Sequence, residues 1–248
     1  MKDLFLKKSE KMISDAYDYI KSLSSVKAGS FESSETAVIM VDIINGFINE
    51  GALHDNNIAG IIPQVEKLLK YAVANDIPAV AFADCHSPSS KEFSSFPVHC
   101  LRGGAESEIV DELKNIGGYI VAEKNSTNGF HCPEFQRFLS DNPNIKNFIV
   151  CGDCTDICVM NFCLTLKTYF DQADKHCRIA VPVNMVETYD ADNHYNVFMN
   201  TAAFIFMSLQ WETVILKTVW EIRSFISICF SDVFRKTEDM QYSPGWNR

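Results

Sequence analysis

From Thr36 onward, short apolar runs alternate with amphipathic stretches. The runs TAVIMVD (36–42), PAVAFAD (78–84), GYIVAE (118–123), KNFIVCG (146–152), CRIAVP (177–182) and ETVIL (212–216) are continuously apolar rather than alternating. That is the pattern of parallel strands buried on both faces. Helical patterns fall between them, near 59–75, 105–115, 133–140, 156–172 and 191–209. Strands alternating with helices predict an α/β fold: a three-layer, doubly wound, mostly parallel six-stranded sheet with helices on both faces and right-handed crossovers.

Two flanking segments stand outside this rhythm. Residues 1–35 predict an amphipathic helix and a Ser- and Gly-containing linker, and residues 36–216 the α/β domain. Residues 217–248 predict a further amphipathic helix with a polar tail; its stripe of Trp220, Phe225, Ile226, Phe230 and Phe234 suits packing on its own domain or, failing that, a contact between subunits of a homo-oligomer.

Composition narrows the function classes. An apolar content of 47% is ample for a core, whereas a net charge of −10 and a pI near 5.0 argue against nucleic-acid or anionic-membrane partners. The N-terminus is broken by charges every few residues, without the apolar centre of a signal peptide, and no window has membrane length. A cytoplasmic location follows as an expectation. There, nine cysteines should stay reduced, and an odd count fits a complete disulfide framework poorly.

In open parallel sheets, sites lie beyond the carboxyl ends of the strands. The first strand here ends in Asp42, the second in Asp84 followed by His86, the third runs into Lys124, and the fourth opens into CGDCTDICVMNFC (151–163). Within that stretch Cys158 stands about one turn into a predicted helix, where the macrodipole and unpaired N–H groups favour a thiolate. By itself the stretch is compatible with a reactive thiol, a buried structural cysteine, or a metal site made of Cys151, Cys154, Cys158 and Cys163. Asp42, Lys124 and Cys158 together make a base, a charge stabiliser and a nucleophile.

The second-strand loop, DCHSPSSKEFSSFPVHC, brings Asp84, His86, Glu92 and His99 into sixteen residues. Imidazole and carboxylate donors together suit a divalent transition metal, zinc foremost and manganese or iron otherwise, and two imidazoles disfavour magnesium or calcium. A rival group, Asp190, Asp192 and His194, opens a predicted helix, where acidic residues serve as caps. His54, His131 and His176 lack ligand partners at useful spacing and are expected in loops.

The segments IMVDIINGF, VAEKNSTNGF and VCGDCTDICV resemble the three signature motifs of the isochorismatase-like cysteine hydrolases, which have a Rossmann-like α/β fold; the third, G-x-x-T-D-x-C-V after a strand, is the most specific. The resemblance spans about residues 36–216. It implies Cys158 as nucleophile, Asp42 as general base and then acid, and Lys124 as the cation holding both in register. It also implies a cis Asp153–Cys154 peptide and an oxyanion hole formed by the backbone N–H groups of Cys154 and Cys158. The metal loop looks like that of the nicotinamidases, with Glu92 at the variable third ligand position. This likeness implies Phe47, Phe96 and Phe130 as substrate contacts and the hydrolysis of nicotinamide to nicotinate and ammonia. Ile44, Gly46 and Phe96 depart from the commonest residues of that group. Alternatives are a related amidohydrolase of N-carbamoyl compounds, ureides or other small amides, and a metal-stabilised binding domain without turnover.

Overall fold

The apolar runs become strands because each is buried on both sides. The computed structural model describes residues 1–26, 28–210 and 214–218. Helix α1 (Lys2–Ser22) leads into a two-residue strand β1 (Ser25–Val26) and the first long strand β2 (Thr36–Val41). Short helices α2 (Asn45–Ile48) and α3 (Asn56–Ala59) precede α4 (Ile62–Ala74) and β3 (Ala79–Asp84). Then come α5 (Asp111–Lys114), β4 (Tyr119–Lys124), α6 (Pro133–Asp141), β5 (Asn147–Gly152), α7 (Met160–Gln172), β6 (Arg178–Pro182), α8 (Asn196–Gln210) and β7 (Val214–Thr218).

All described strand pairs are parallel, in the order β1-β7-β6-β5-β2-β3-β4. Every residue of β2, β3 and β5 is buried, which accounts for their unbroken apolar character. On one face Val38 and Met40 join Val65, Leu68 and Leu69 of α4 in one apolar cluster. Elsewhere in the core Phe82, Phe135 and Phe162 meet edge to face, with centroids 5.1 to 5.4 Å apart. Prolines in the first turns of α4 and α6 fit their starts, where no intrahelical N–H partner is needed.

The structure corrects four expectations. The sheet holds seven strands rather than six, because Ser25–Val26 of the expected linker pairs with β7. Over 105–115 only α5 and a single tight turn, Ala105–Ser107, form. Helix α8 begins at Asn196 rather than 191, since Asp190 accepts a hydrogen bond from the Asn196 N–H and keeps the intervening residues in a turn. Strand β4 is an open edge, with Ile120 and Val121 47% and 45% exposed. The last strand extends to Thr218; the helix and stripe expected beyond it lie outside the described residues.

This topology sets the site's place. The chain runs outward from β2 through β3 to β4 on one side and from β5 through β6 to β7 on the other, so β2 and β5 flank a topological switch point. Their carboxyl ends come very close. Gly152 has φ +117°, and a Cβ there would fall 1.9 Å from the Val41 carbonyl oxygen, so only glycine fits. The next N–H, that of Asp153, donates to this oxygen at 2.9 Å.

Candidate active site

Asp42 leaves β2 with φ +55°, an uncommon value for a non-glycine residue. Its Oδ1 accepts the Asp84 N–H at 3.0 Å, which fixes the carboxylate over the neighbouring strand. Lys124 ends β4, two strands away, and pairs in register with Asp84 on β3. Its side chain reaches over β3, so that Nζ lies 2.8 Å from Asp42 Oδ2, donates to Asp84 Oδ1 and approaches Cys158 Sγ at 3.6 Å. All four residues are buried. The ammonium thereby holds two carboxylates and a thiol around one point.

Cys158 sits on a wide π-type turn, Thr155–Val159, that runs into α7; such turns concentrate at functional positions. The preceding Asp153–Cys154 peptide is cis. Cys151 and Cys163 are core residues, and all eight cysteines among the described residues are free thiols.

Burial sets the protonation pattern. It pushes Asp42 up to about 7 against the opposing pull of Lys124, while the nearby charge of Asp84 adds to the rise. Asp84 is buried as well, but Lys124, His86 and His99 hold it well below the usual carboxylate range. The thiol of Cys158 is pushed well above its ordinary value by burial, against the attraction of Lys124. The helix terminus alone would have suggested a thiolate; burial favours the thiol form instead. Lys124 is raised well above its usual value, because the charges of Asp42 and Asp84 outweigh its burial.

Beside this set, one ligand atom each from Asp84, His86, Glu92 and His99 lies within 4.8 Å of all the others. His86 Nδ1 stands 3.0 Å from the Asn125 Oδ1, which also accepts the Ser87 N–H, and His99 Nδ1 stands 2.8 Å from the Pro97 carbonyl oxygen. Each Nδ1 therefore carries a hydrogen, which orients each Nε2 to offer its lone pair to a metal. Those two Nε2 atoms face each other at 3.1 Å, with Asp84 and Glu92 oxygens 3.5 and 3.6 Å from the His86 Nε2. Two imidazole nitrogens and two carboxylates converging on one place make a donor set that fits a divalent transition metal.

Three phenylalanine rings gather around these histidines. Phe47, Phe93 and Phe96 have centroids 5.9, 5.7 and 6.3 Å from the His99 ring, and Phe93 also lies 5.5 Å from His86. Phe93 escaped the sequence reading, although its place beside Glu92 and three residues before Phe96 was a usable signal. Phe130 is not brought into this group: its described ring contacts are His131, Phe135 and Tyr169. An open cavity of about 320 Å³, lined by Glu50, Val98, Leu101, Gly104, Ala105 and Glu106, shares only His99 with the site.

The rival group does not assemble. His194 turns to Asp156, and Asp190 caps the Asn196 N–H. Among the described residues no helix is long and apolar enough to cross a membrane.

Comparison with known proteins follows the same lines. The Isochorismatase domain matches residues 36–211. Nicotinamidase 1 of Arabidopsis thaliana is 32% identical over 151 residues, 53% of this chain and 60% of that protein, so the match spans less than two thirds of that relative's length. Among solved structures, the N-carbamoylsarcosine amidase of Thermoplasma acidophilum superposes with a TM-score of 0.63 at 23% identity, covering 77% of this chain and 99% of the other. The nicotinamidase of Bacillus subtilis gives 0.60 at 21% identity, over 74% and 99%. The pyrazinamidase of Pyrococcus horikoshii, solved in complex with zinc, gives 0.59 at 22% identity, over 75% and 98%. The structural likenesses establish the shared fold.

Proposed function

Because the chain belongs to the isochorismatase domain family, we propose that it is a metal-dependent cysteine amidohydrolase that cleaves nicotinamide to nicotinate and ammonia. The observation that carries this reading is the position of Lys124, which joins the acid–thiol pair to Asp84 of the four-donor cluster. A pyridine amide has two matching ends, a ring nitrogen with a free lone pair and a carboxamide carbon. A ureide or N-carbamoyl compound offers no pyridine-type nitrogen with a free lone pair to such a cluster. The 32% identity to a nicotinamidase supports the same substrate class.

Asp84, His86, Glu92 and His99 would hold the metal, zinc foremost, which when bound supplies a Lewis-acidic partner for the pyridine nitrogen. Phe47, Phe93 and Phe96 pack round His99 and can clasp a flat ring. Asp42 takes the proton of Cys158, a transfer that suits a carboxyl group raised to about 7. The Cys158 sulfur attacks the carboxamide carbon, and the N–H groups of Cys154 and Cys158 receive the developing oxyanion. Asp42 returns the proton to the leaving nitrogen, and ammonia departs from a Cys158 thioester. The same carboxylate then draws a proton from water, which hydrolyses the thioester and frees the thiol. Throughout, Lys124 keeps both partners in place and balances the charge that Asp42 gains and loses.

Ammonia release from nicotinamide, pyrazinamide and an N-carbamoyl amino acid tests the proposal. Turnover of the pyridine amide is expected to exceed that of the N-carbamoyl compound; the reverse order would overturn the substrate assignment.

A further inference from the structure

Asp156 lies two residues before Cys158 on the same turn, and its Oδ2 is 2.8 Å from Nε2 of His194. Their side chains are only 6% and 12% exposed. His194 comes from the loop between β6 and α8, thirty-eight residues further along the chain. That loop fixes the imidazole in two further ways. Nδ1 lies 3.0 Å from the Tyr189 carbonyl oxygen, and the ring stacks on Tyr189 with centroids 3.8 Å apart and planes inclined by 10°.

A carbonyl oxygen can only accept, so Nδ1 is a donor, and Nε2 shares a second hydrogen bond with the Asp156 carboxyl group. The ring is thus held at both nitrogens, between the loop's backbone and the nucleophile turn.

The turn has reason to need such a tie. Its defining bond runs from the Val159 N–H to the Cys154 carbonyl over 3.1 Å, the wide π pattern, which seldom extends beyond one turn. The end of β5 and the start of the turn are stitched to the β6–α8 loop by backbone: Gly152 N–H donates to the Met185 carbonyl at 2.9 Å, and Thr155 N–H donates to the Glu187 carbonyl at 3.0 Å. Among these ties, Asp156–His194 is the one nearest in sequence to Cys158.

We propose that Asp156 and His194 are positioning residues that hold the Cys158 turn in its reactive placement. The proposal rests on the nucleophilic role given to Cys158 above. Neither residue belongs to the reacting set. They act through the turn, so their loss lowers the rate of the chemical step while substrate binding at the histidine cluster persists.

The test compares Asp156→Ala, His194→Ala, the double variant and Asp156→Asn in the full chain. In Asp156→Asn the amide can donate to Nε2 of an imidazole that keeps its Nδ1 hydrogen, so the tie survives without the charge. Each alanine variant is expected to lose about tenfold or more in kcat with KM within about twofold, since small misplacements of reacting groups carry losses of that order. The double variant should be no worse than either single one, and Asp156→Asn should recover most of the rate. Backbone hydrogen exchange should rise at residues 154–159 in the alanine variants and stay near wild type in Asp156→Asn. Alanine variants with wild-type kcat, or an Asp156→Asn variant as slow as Asp156→Ala, would overturn the proposal. If the wild type leaves nicotinamide untouched, the substrate reading fails on its own. Exchange at 154–159 then decides the positioning role, and unchanged exchange in both alanine variants rejects it.

Discussion

Lys124 Nζ lies 2.8 Å from Asp42 Oδ2, although the two residues stand on strands separated by β3. Two strand spacings amount to about 10 Å, a gap that a lysine and an aspartate together can bridge. The bridging side chain passes Asp84 on the way and pairs with it too. One ammonium thereby balances the carboxylate of Asp42 and a member of the four-donor cluster.

Removing that ammonium should be costly. Lys124→Met leaves Asp42 and Asp84 buried without their cation, and breaking a buried pair costs about 3–5 kcal/mol. Urea denaturation should show a midpoint shifted down accordingly, with ammonia release lost.

Cys158→Ala should abolish ammonia release, a fall of roughly 10⁴-fold or more, with an unchanged far-ultraviolet circular dichroism spectrum. Mass spectrometry should find the thioester only in wild-type protein quenched during turnover. Retained activity in the variant would remove Cys158 from the mechanism.

The pH profile should carry the mark of Asp42. As a base it must be ionised, so kcat/KM is expected to rise through about pH 7 on its acid side. Its folded-state value is raised above the ordinary 3.8, so the folded protein binds a proton that the unfolded chain has released. The stability Asp42 contributes is therefore fully present below about pH 4 and lost as pH climbs towards 7. Asp84, held low, has the opposite sign: its contribution is present above its ordinary value and lost as pH falls through the depressed one. Activity at a series of pH values checks the first statement, and melting of Asp42→Asn and Asp84→Asn across the same range checks the other two.

Metal binding can be read without turnover. Zinc should raise the melting temperature of the metal-stripped protein, because a ligand bound only by the folded state stabilises it by mass action. The increment should vanish in His86→Ala/His99→Ala. A chelator should also slow nicotinamide hydrolysis, and added zinc should restore it.

Gly152→Ala tests how closely β5 approaches β2. The added Cβ meets the Val41 carbonyl at a backbone angle that other residues rarely adopt, and the combined strain and overlap should cost about 3–5 kcal/mol. Little soluble protein is expected; a variant as stable as wild type would show that the two strand ends can separate.

Much of this arrangement was legible along the chain. Unbroken apolar runs marked the long strands, because strands covered on both faces tolerate no alternation. Strand ends carrying Asp42, Lys124 and the GDCTDIC stretch pointed to one rim of the sheet, since parallel strands all end on the same side. The loop holding Asp84, His86, Glu92 and His99 was readable for a similar reason: its four donors fall within sixteen residues.

Other features depended on long-range packing. The Ser25–Val26 strand is too short to have a periodicity and exists only because β7 offers an edge. Phe130 shares a motif with Lys124 but packs among Phe135 and Tyr169, because the turn after β4 aims it toward α6 and α7. Burial raises both the Cys158 thiol and the Asp42 carboxyl, whereas the sequence alone had favoured a thiolate. The sequence by itself determined which residue types stand at the ends of which strands, because periodicity and motif spacing are local properties. Only the tertiary structure decided that Lys124 spans β3 to reach Asp42, and that His194 turns to Asp156, because such contacts depend on strand order, side-chain reach and the exclusion of water.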